Sequence, residues 1–302
     1  MKIKQLLTYS LTALFLLVIS VFSARATHNR SGQITFEHLY GNTYRFTVTT
    51  CTKTSSEADR PELEIIWGDG NSDTIPRADI DFITSYDAQK NYYYGTHTYA
   101  GPGTFLVSVE DPNRNSGVEN IDNSVNTPFC IQTEITISPF VGDNDSPIFS
   151  TCPCPEYGCL NIPYYYNVGA YDPNGDSLAF EIVPCRGEDC LEMAIPSKYQ
   201  YPHTVGGGAL SIDSEAGTLL WDTPGSSGEF NFAILIKEYR GGVLLSQILH
   251  DVQVTIQNCS NLPPEIEPIP DTCVFAGDTL RRQVIAIDTD YVSSSNRVLL
   301  TA

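Results

Sequence analysis

Basic residues are scarce in this chain, helical periodicity is nearly absent, and no long apolar run follows residue 22. The 17 Lys and Arg are outnumbered by 36 Asp and Glu, which gives the 302 residues a formal charge of −19. A field of this sign repels nucleic acid and anionic lipid, so neither is expected as a partner. Since a membrane-spanning helix needs about 20 apolar residues, we predict no such helix in the mature chain.

Catalytic motifs are missing as well. The sequence has no serine elbow, no phosphate-binding loop and no helix with paired metal-binding histidines. Its five histidines lie in unrelated contexts, at His28, His38, His97, His203 and His250. Carboxylate pairs are plentiful, but every acidic chain contains them, so they do not identify the catalytic pair of a glycosidase. We therefore expect no enzymatic activity in this stretch.

The N-terminus has the pattern of a secretory signal. Lys2 and Lys4 precede an apolar run from Leu11 to Phe22, and Ala24-Arg25-Ala26 forms a small-x-small cleavage site. A membrane anchor is the alternative, but the run is short for a span. Residues 1–26 are therefore predicted to be a signal peptide, and their removal would shift the formal charge from −19 to −22.

Nine cysteines follow the signal, and in an oxidising compartment most should pair. The candidate bridges join Cys51 to Cys130, Cys185 to Cys190 around a short loop, and Cys259 to Cys273 across a junction. Connectivity is not fixed by sequence, and an odd number leaves at least one thiol without a partner. Cys152, Cys154 and Cys159 are crowded among prolines, where a zinc cluster is the rival interpretation.

Short alternating apolar runs separated by Gly, Pro, Asn and Asp predict an all-β chain of immunoglobulin-like sandwiches in tandem. One face of a strand carries Phe230, Phe232, Ile234 and Ile236. Loop-rich junctions place one domain at 27–141 and a second at 144–258. Residues 261–302 are too few to bury a sandwich core, so they are expected to begin a further, incomplete domain.

The first domain resembles the PKD domain, a β-sandwich of surface proteins. The resemblance rests on Trp67-Gly68-Asp69-Gly70, His97-Thr98-Tyr99 and the strand Pro102–Val109. It implies that Trp67, Asp69, His97 and Tyr99 serve the fold. A catalytic pair or a metal site built on Asp69 and His97 is the alternative.

The second domain resembles the cadherin-like and immunoglobulin-like modules of bacterial surface proteins. The resemblance rests on Asn167–Phe180, on Gly217–Trp221, which ends at a candidate core tryptophan, Trp221, and on Gly228–Phe232. The strand and acidic turn recur at Ala286–Asp290, which supports a tandem array.

Nearly all of 27–302 is similar to the N-terminal region of large gliding-motility-associated surface proteins of the Bacteroidetes. Thr27–Thr35, Asn123–Phe129, Ile236–Gly242 and His250–Val254 carry this likeness. It implies export through the general secretory route and then the type IX system, with the protein on the cell surface.

No cofactor is certain from the sequence, and calcium is the best chemical hypothesis. Asp143-Asn144-Asp145 resembles a cadherin linker, and Asp172, Asn174 and Asp176 alternate in one turn. Calcium prefers six to eight hard oxygen ligands in a flexible loop, which these residues offer jointly. The alternative is that Asp172–Asp176 is a plain turn.

These observations predict a non-catalytic structural or adhesive array that binds extracellular proteins or glycans. The alternative is a carbohydrate-binding accessory region of a larger secreted hydrolase. Tyr92–Tyr94 and Tyr164–Tyr166 would serve as sugar platforms only if exposed; in strands, their side chains should alternate between core and surface.

Overall fold

The computed structural model describes residues 29–56, 59–83, 86–150, 154, 156–262, 265–268, 270, 272–275, 277 and 279–287. The predicted signal peptide, Cys152 and the acidic end of the repeat at 288–290 lie outside these residues. Strands are nearly the only regular secondary structure in the described chain, so the predicted all-β class is confirmed.

Seven strands form the first half of the chain. They are β1 (Asn29–Tyr40), β2 (Thr43–Thr52), β3 (Glu62–Ile66), β4 (Ser72–Ile83), β5 (Ala88–Thr98), β6 (Gly103–Asp111) and β7 (Phe129–Ile137). A turn at Gly41-Asn42 joins β1 to β2, where Tyr40 pairs with Thr43.

The second half carries shorter strands and then two long ones. They are β8 (Ile148–Phe149), β9 (Glu156–Cys159), β10 (Tyr164–Asn167), β11 (Ala170–Tyr171), β12 (Ser177–Val183), β13 (Ala209–Ile212), β14 (Thr218–Asp222), β15 (Gly228–Arg240) and β16 (Val243–Gln257). A one-turn helix, α1 (Pro202–Gly206), precedes β13, and a pair formed by β17 (Glu265–Ile266) and β18 (Ala286–Ile287) follows β16.

The first sandwich consists of one layer with β1, β2 and β5 and a second with β3, β6 and β7. Strand β4 belongs to both layers, since Ser72–Pro76 pairs with β3 and Arg77–Ile83 pairs with β5 across a bulge. Bulges bend a strand and let it change sheets. The core between the layers includes Ile34, Phe46, Trp67, Val107 and Ile131.

The second sandwich packs the layer β10-β14-β13 against β12, β15 and β16. Its core holds Trp221 and the four apolar side chains predicted to share a face of β15, namely Phe230, Phe232, Ile234 and Ile236. Burying each such side chain stabilises the fold by about 1.5–3 kcal/mol.

Strand β16 joins the two sandwiches into one continuous sheet. Ser246 to Ile248 pair with Ile135 to Thr133 on β7, and Asp251 pairs with Gly32 on β1. Because β1 and β7 are the open edges of the two layers of the first sandwich, β16 covers both edges at once. The predicted boundary between 141 and 144 lies between β7 and β8, and strands from before and after it belong to one sheet through β16.

A buried polar seam lies on the outer face of β15 and β16. Arg114 and Asp251, both without exposed side-chain surface, form a bidentate pair with N–O distances of 2.6 and 3.0 Å. Asn231 donates to Asp251 over 3.1 Å, and Asn120 donates to the carbonyl of Asn231 over 2.7 Å. Loop residues of the first half therefore complete the burial of the second.

Candidate functional site

The two segments assigned to calcium lie against each other at the junction of the sandwiches. The amide of Asp145 donates to Oδ1 of Asn174 over 2.8 Å, and Nδ2 of Asn174 donates to Oδ2 of Asp145 over 3.4 Å. Asp145 also accepts a hydrogen bond from the amide of His38 on β1. The linker after β7 is thus fixed on both sides, by the first sandwich and by the acidic turn.

The acidic turn between β11 and β12 is organised by Asp172. Its Oδ1 accepts hydrogen bonds from the amides of Asn174 and Asp176 over 2.9 and 3.0 Å. This is an Asx-type turn, and Gly175 provides the positive φ that it requires, 83°. The plain-turn interpretation therefore describes the local geometry correctly, whatever else the turn binds.

Arg240, at the end of β15, is the cation of this junction. It donates to Asp176 over 2.5–3.1 Å and to Oδ1 of Asn144 over 2.8 Å. It also donates to the carbonyls of Val141 and Asp143 over 2.8 and 3.0 Å. The guanidinium thereby uses several of the oxygens that the sequence assigned to calcium, and calcium binding by the whole linker stays a prediction.

Glu238 is the residue that sequence reasoning missed. It has no exposed surface, and its Oε2 accepts a hydrogen bond from Ser246. Burial raises the pKa of Glu238 to about 7, with Ser246 and Asn144 lowering it and the charges of Asp172 and Asp176 raising it. A signal was present, because Glu238 continues the alternation of inward-facing residues from Phe230 to Ile236.

Three carboxylates meet at this point. One oxygen from each of Asp172, Asp176 and Glu238 lies within 4.8 Å of the other two. Such a set of hard oxygens can hold a divalent cation, a proton or a hydrogen-bond donor. Of these three carboxylates, only Asp176 accepts hydrogen bonds from Arg240 in the described chain. The net charge of the group is therefore negative when all three carboxylates are ionised.

The tryptophan motif of the first domain forms a closed network. His97 stacks on Trp67 at 4.8 Å, and its Nε2 lies 2.8 Å from Oδ2 of Asp69. The indole N–H of Trp67 donates to Asp73, and the hydroxyl of Tyr99 donates to the carbonyl of Trp67. This geometry accounts for each motif residue by packing and hydrogen bonds within the first sandwich.

The turn of this motif depends on glycine. Gly68 has a φ of 82°, and a Cβ there would lie 2.6 Å from the backbone nitrogen of Leu106. Burial acts to raise the pKa of Asp69, but hydrogen bonds from His97 and the Asn71 amide outweigh it and hold the pKa below its usual value. Asp69 therefore acts as the anchor of a tight turn.

Trp221 has the corresponding place in the second core. Its ring has no exposed surface, packs edge-on against Phe230 at 5.0 Å, and its N–H donates to the carbonyl of Gly207 over 2.8 Å. The tyrosine runs alternate as expected: Tyr93 is buried between half-exposed Tyr94 and Tyr92, and Tyr165 is exposed between buried neighbours.

The disulfides differ from the predicted pairs. The described bridges are Cys51–Cys154, Cys130–Cys190 and Cys159–Cys259. The prediction of Cys51–Cys130 is wrong because Cys51 lies beside β1 and β5, whereas Cys130 lies on β7 beside β6, in the opposite layer.

The other two predicted pairs are also wrong. Cys185 is a thiol buried in the seam, so Cys190 pairs with β7 instead. Cys273 is an exposed thiol, and Cys259 pairs with Cys159. Because Cys154 and Cys159 are both in disulfides, the rival zinc cluster loses two of its three ligands.

Comparison with known proteins gives only structural likenesses. No protein-family model and no curated protein matches the chain. The tandem Ig repeats of Dlar align with 76% of this chain and 100% of their own, at 8% identity and a TM-score of 0.24. The N-terminal Ig1-2 module of the Drosophila receptor protein tyrosine phosphatase DLAR aligns with 78% of this chain and 96% of its own, also at 8% and 0.24. Likenesses this low carry no conclusion about function.

Within the described part of the chain, no helix has the length and apolarity needed to span a membrane.

Proposed function

We propose that this chain is a non-catalytic structural or adhesive unit of an exported surface protein, of the kind associated with gliding motility. The observation that carries the proposal is the fusion of the two sandwiches through β16. Two disulfides, Cys51–Cys154 and Cys130–Cys190, add covalent links between the halves. A unit tied in this way resists bending between its halves, which suits a part that transmits force or holds a binding surface at a fixed distance.

Export is supported by the cysteine chemistry. The three described disulfides are typical of proteins that mature outside the reducing cytosol. Cleavage after Ala26, the type IX route and display on the cell exterior complete this proposal.

Glycan recognition is the second candidate function. Tyr94 and Tyr165 are 48% and 54% exposed on strands of the two sandwiches, and exposed aromatic rings stack on sugar rings. In this second function the chain binds a carbohydrate, as an accessory region of a secreted hydrolase does. The alternative is adhesion through contacts with other proteins.

The test is performed in the cells that encode the chain. Antibody labelling of intact cells reports surface display, and deletion of the gene should reduce attachment and gliding speed, with recovery on complementation. Labelling that requires permeabilised cells, or attachment unchanged by deletion, contradicts the proposal.

The two functions are separated by a complementing gene with Tyr94→Ala and Tyr165→Ala, checked on a glycan array. Loss of glycan binding and attachment together supports recognition of sugars. Full attachment with this variant favours protein contacts instead.

A further inference from the structure

We propose that Asp172, Asp176 and Glu238 bind a hard divalent cation, with the chemistry of calcium, where the acidic turn meets the end of β15. One oxygen from each carboxylate lies within 4.8 Å of the other two. Calcium bonds to oxygen at 2.3–2.6 Å, so two ligands of one ion are separated by at most about 5 Å. The three oxygens are therefore close enough to share an ion without rearrangement of the backbone.

The state of Glu238 points to a missing ligand. The residue has no exposed surface, and Ser246 satisfies only Oε2. Among the described residues, Oε1 of Glu238 has no partner within hydrogen-bond geometry. The side chain of Asn144, whose Nδ2 is also without a partner, is the neighbouring amide that lowers the pKa of Glu238. Buried carboxylates in proteins are normally paired, hydrogen-bonded or bound to a metal, because a buried oxygen without a partner is unfavourable. We therefore expect a ligand for this oxygen.

Asp172 repeats this pattern. Its Oδ1 accepts two amide hydrogen bonds that form the turn, whereas its buried Oδ2 has no partner in the described part of the chain. The turn thus explains one oxygen of Asp172 and leaves the other unexplained. Two unpaired carboxylate oxygens, from residues 66 positions apart in the sequence, belong to the same three-residue group.

Arg240 neutralises this group only in part. Its side-chain hydrogen bonds reach Asp176, Asn144 and the carbonyls of Val141 and Asp143. Three ionised carboxylates and one guanidinium leave a formal charge of −2, which one divalent cation cancels. Calcium accepts irregular oxygen geometry, whereas magnesium requires a near-ideal octahedron at 2.0–2.1 Å, so an irregular set of this kind favours calcium.

This site shares Asp172 and Asp176 with the ligands predicted from the sequence, but it does not use the linker residues Asp143, Asn144 and Asp145. Asp145 and Asn174 are engaged with each other, and Glu238 was not among the predicted ligands. The inference goes beyond the proposed function because it depends on neither export nor adhesion.

The test uses the whole mature chain, freed of metal with a chelator and then titrated with calcium, magnesium or terbium. Thermal unfolding should show a saturable rise in midpoint of about 5 °C with calcium, reversed by chelator, because a ligand of the native state stabilises it. Magnesium at equal concentration should give a smaller rise. Terbium emission sensitised by Tyr171, next to Asp172, should appear and be displaced by calcium.

The deciding variant is Asp172→Asn with Glu238→Gln, in which both changes keep the shape of the side chain. Glu156→Gln is the matched control, since Glu156 is another shielded carboxyl of the second sandwich. It lies away from the proposed site, because it pairs with Val254 on β16, eight residues from Ser246, the partner of Glu238. Calcium should stabilise the control as it does the natural chain and should leave the double variant unchanged.

Two results overturn the proposal: no calcium-dependent rise in the natural chain, or an equal rise in the double variant. If the double variant fails to fold, judged by circular dichroism without metal, Glu238→Gln alone gives the same comparison. Its terbium emission must then fall at least tenfold relative to Glu156→Gln, and emission equal to that of the control counts against the site.

Discussion

The two sandwiches differ in how many faces of their layers are covered. In the first, β5 and β6 have the core on one side and solvent on the other, so Tyr94 and Leu106 are 48% and 46% exposed. In the second, the layer of β12, β15 and β16 is covered on both faces. Phe232 faces the second core, while Ala233 and Leu249 face the seam.

This difference shows how each half depends on the other. Without the second half, the first would expose the edges of β1 and β7, which costs hydrogen bonds but no core. Without the first half, the second would lose Val118 and Ile121, together with Arg114, from an entire face of its sheet. Damage to the seam should therefore affect the second sandwich more than the first.

The largest effect is expected from Asp251→Asn, which breaks the seam. The substitution leaves Arg114 charged, fully buried and without a counter-ion, so the free energy of unfolding should fall by about 3–5 kcal/mol. Urea unfolding followed by fluorescence measures the loss. Trp67 and Trp221, the two tryptophans of the chain, are buried in separate cores. The backgrounds Trp67→Phe and Trp221→Phe therefore report each half separately.

Arg45→Ala is the control for this prediction, because Arg45 and Glu37 form an exposed pair. Its removal should cost less than about 1 kcal/mol. In Asp251→Asn, the transition seen by Trp221 should move at least as far as the transition seen by Trp67. A shift confined to Trp67 would reverse the proposed dependence of the second half on the first.

The next effect is expected from Cys130→Ser with Cys190→Ser, which removes a covalent link across the seam. The two cysteines are 60 positions apart, and opening a loop of this size costs about 2–4 kcal/mol by release of chain entropy in the unfolded state. Chemical unfolding measures the loss, and Cys273→Ser, at an exposed thiol, is the control. Peptide mapping that recovers Cys185 joined to Cys190 would contradict the pairing itself.

Local features of the fold were predictable from the sequence. The alternation of Phe230 to Ile236 and the motif around Trp67 are short-range patterns, in which neighbouring residues determine both turn and strand. The junction of Asp145 with Asn174 was also anticipated, because both segments follow strands at the domain boundary.

Long-range features were not predictable. The pairing of β16 with β7 joins Ser246 to Ile135, and the disulfides join residues 60 to 103 positions apart. Such contacts depend on how whole layers pack, which no local pattern encodes. Glu238 combines a local and a long-range feature. Its position in the alternation of β15 predicts that it is buried, but the acidic residues around it come from a turn that is distant in the sequence.

A smaller effect is expected from Glu156→Gln in the second sandwich. Burial raises the pKa of Glu156 to about 7, against a lowering hydrogen bond from Tyr164. The folded state then keeps a proton that the unfolded state releases, so the contribution of Glu156 to stability is fully present below about pH 4.5 and is lost as the pH rises through about 7. At pH 8 the variant should be more stable than the natural chain by about 2 kcal/mol, a figure reduced for partial exposure.

The measurement is the free energy of unfolding of both chains from pH 4 to pH 8. Glu238 also has a raised pKa, but it is present in both chains, so their difference isolates Glu156. The gap should close at pH 4. A gap that stays constant with pH would show that Glu156 does not titrate in the folded protein as described.

The smallest effect is expected in the first sandwich, from Asp69→Asn. The pKa of Asp69 lies below its usual value, so its ionised form contributes stability above about pH 4 that is lost as the pH falls. Replacing it should cost about 1 kcal/mol at pH 7, since the charged hydrogen bonds to His97 and Asn71 are weakened. The difference should shrink as the pH falls below the usual pKa of an aspartate and the folded protein takes up the proton. If the two sandwiches unfold as one unit, the loss should be the same whether it is followed by Trp67 or by Trp221. A loss seen by Trp67 alone would show that the first sandwich opens independently.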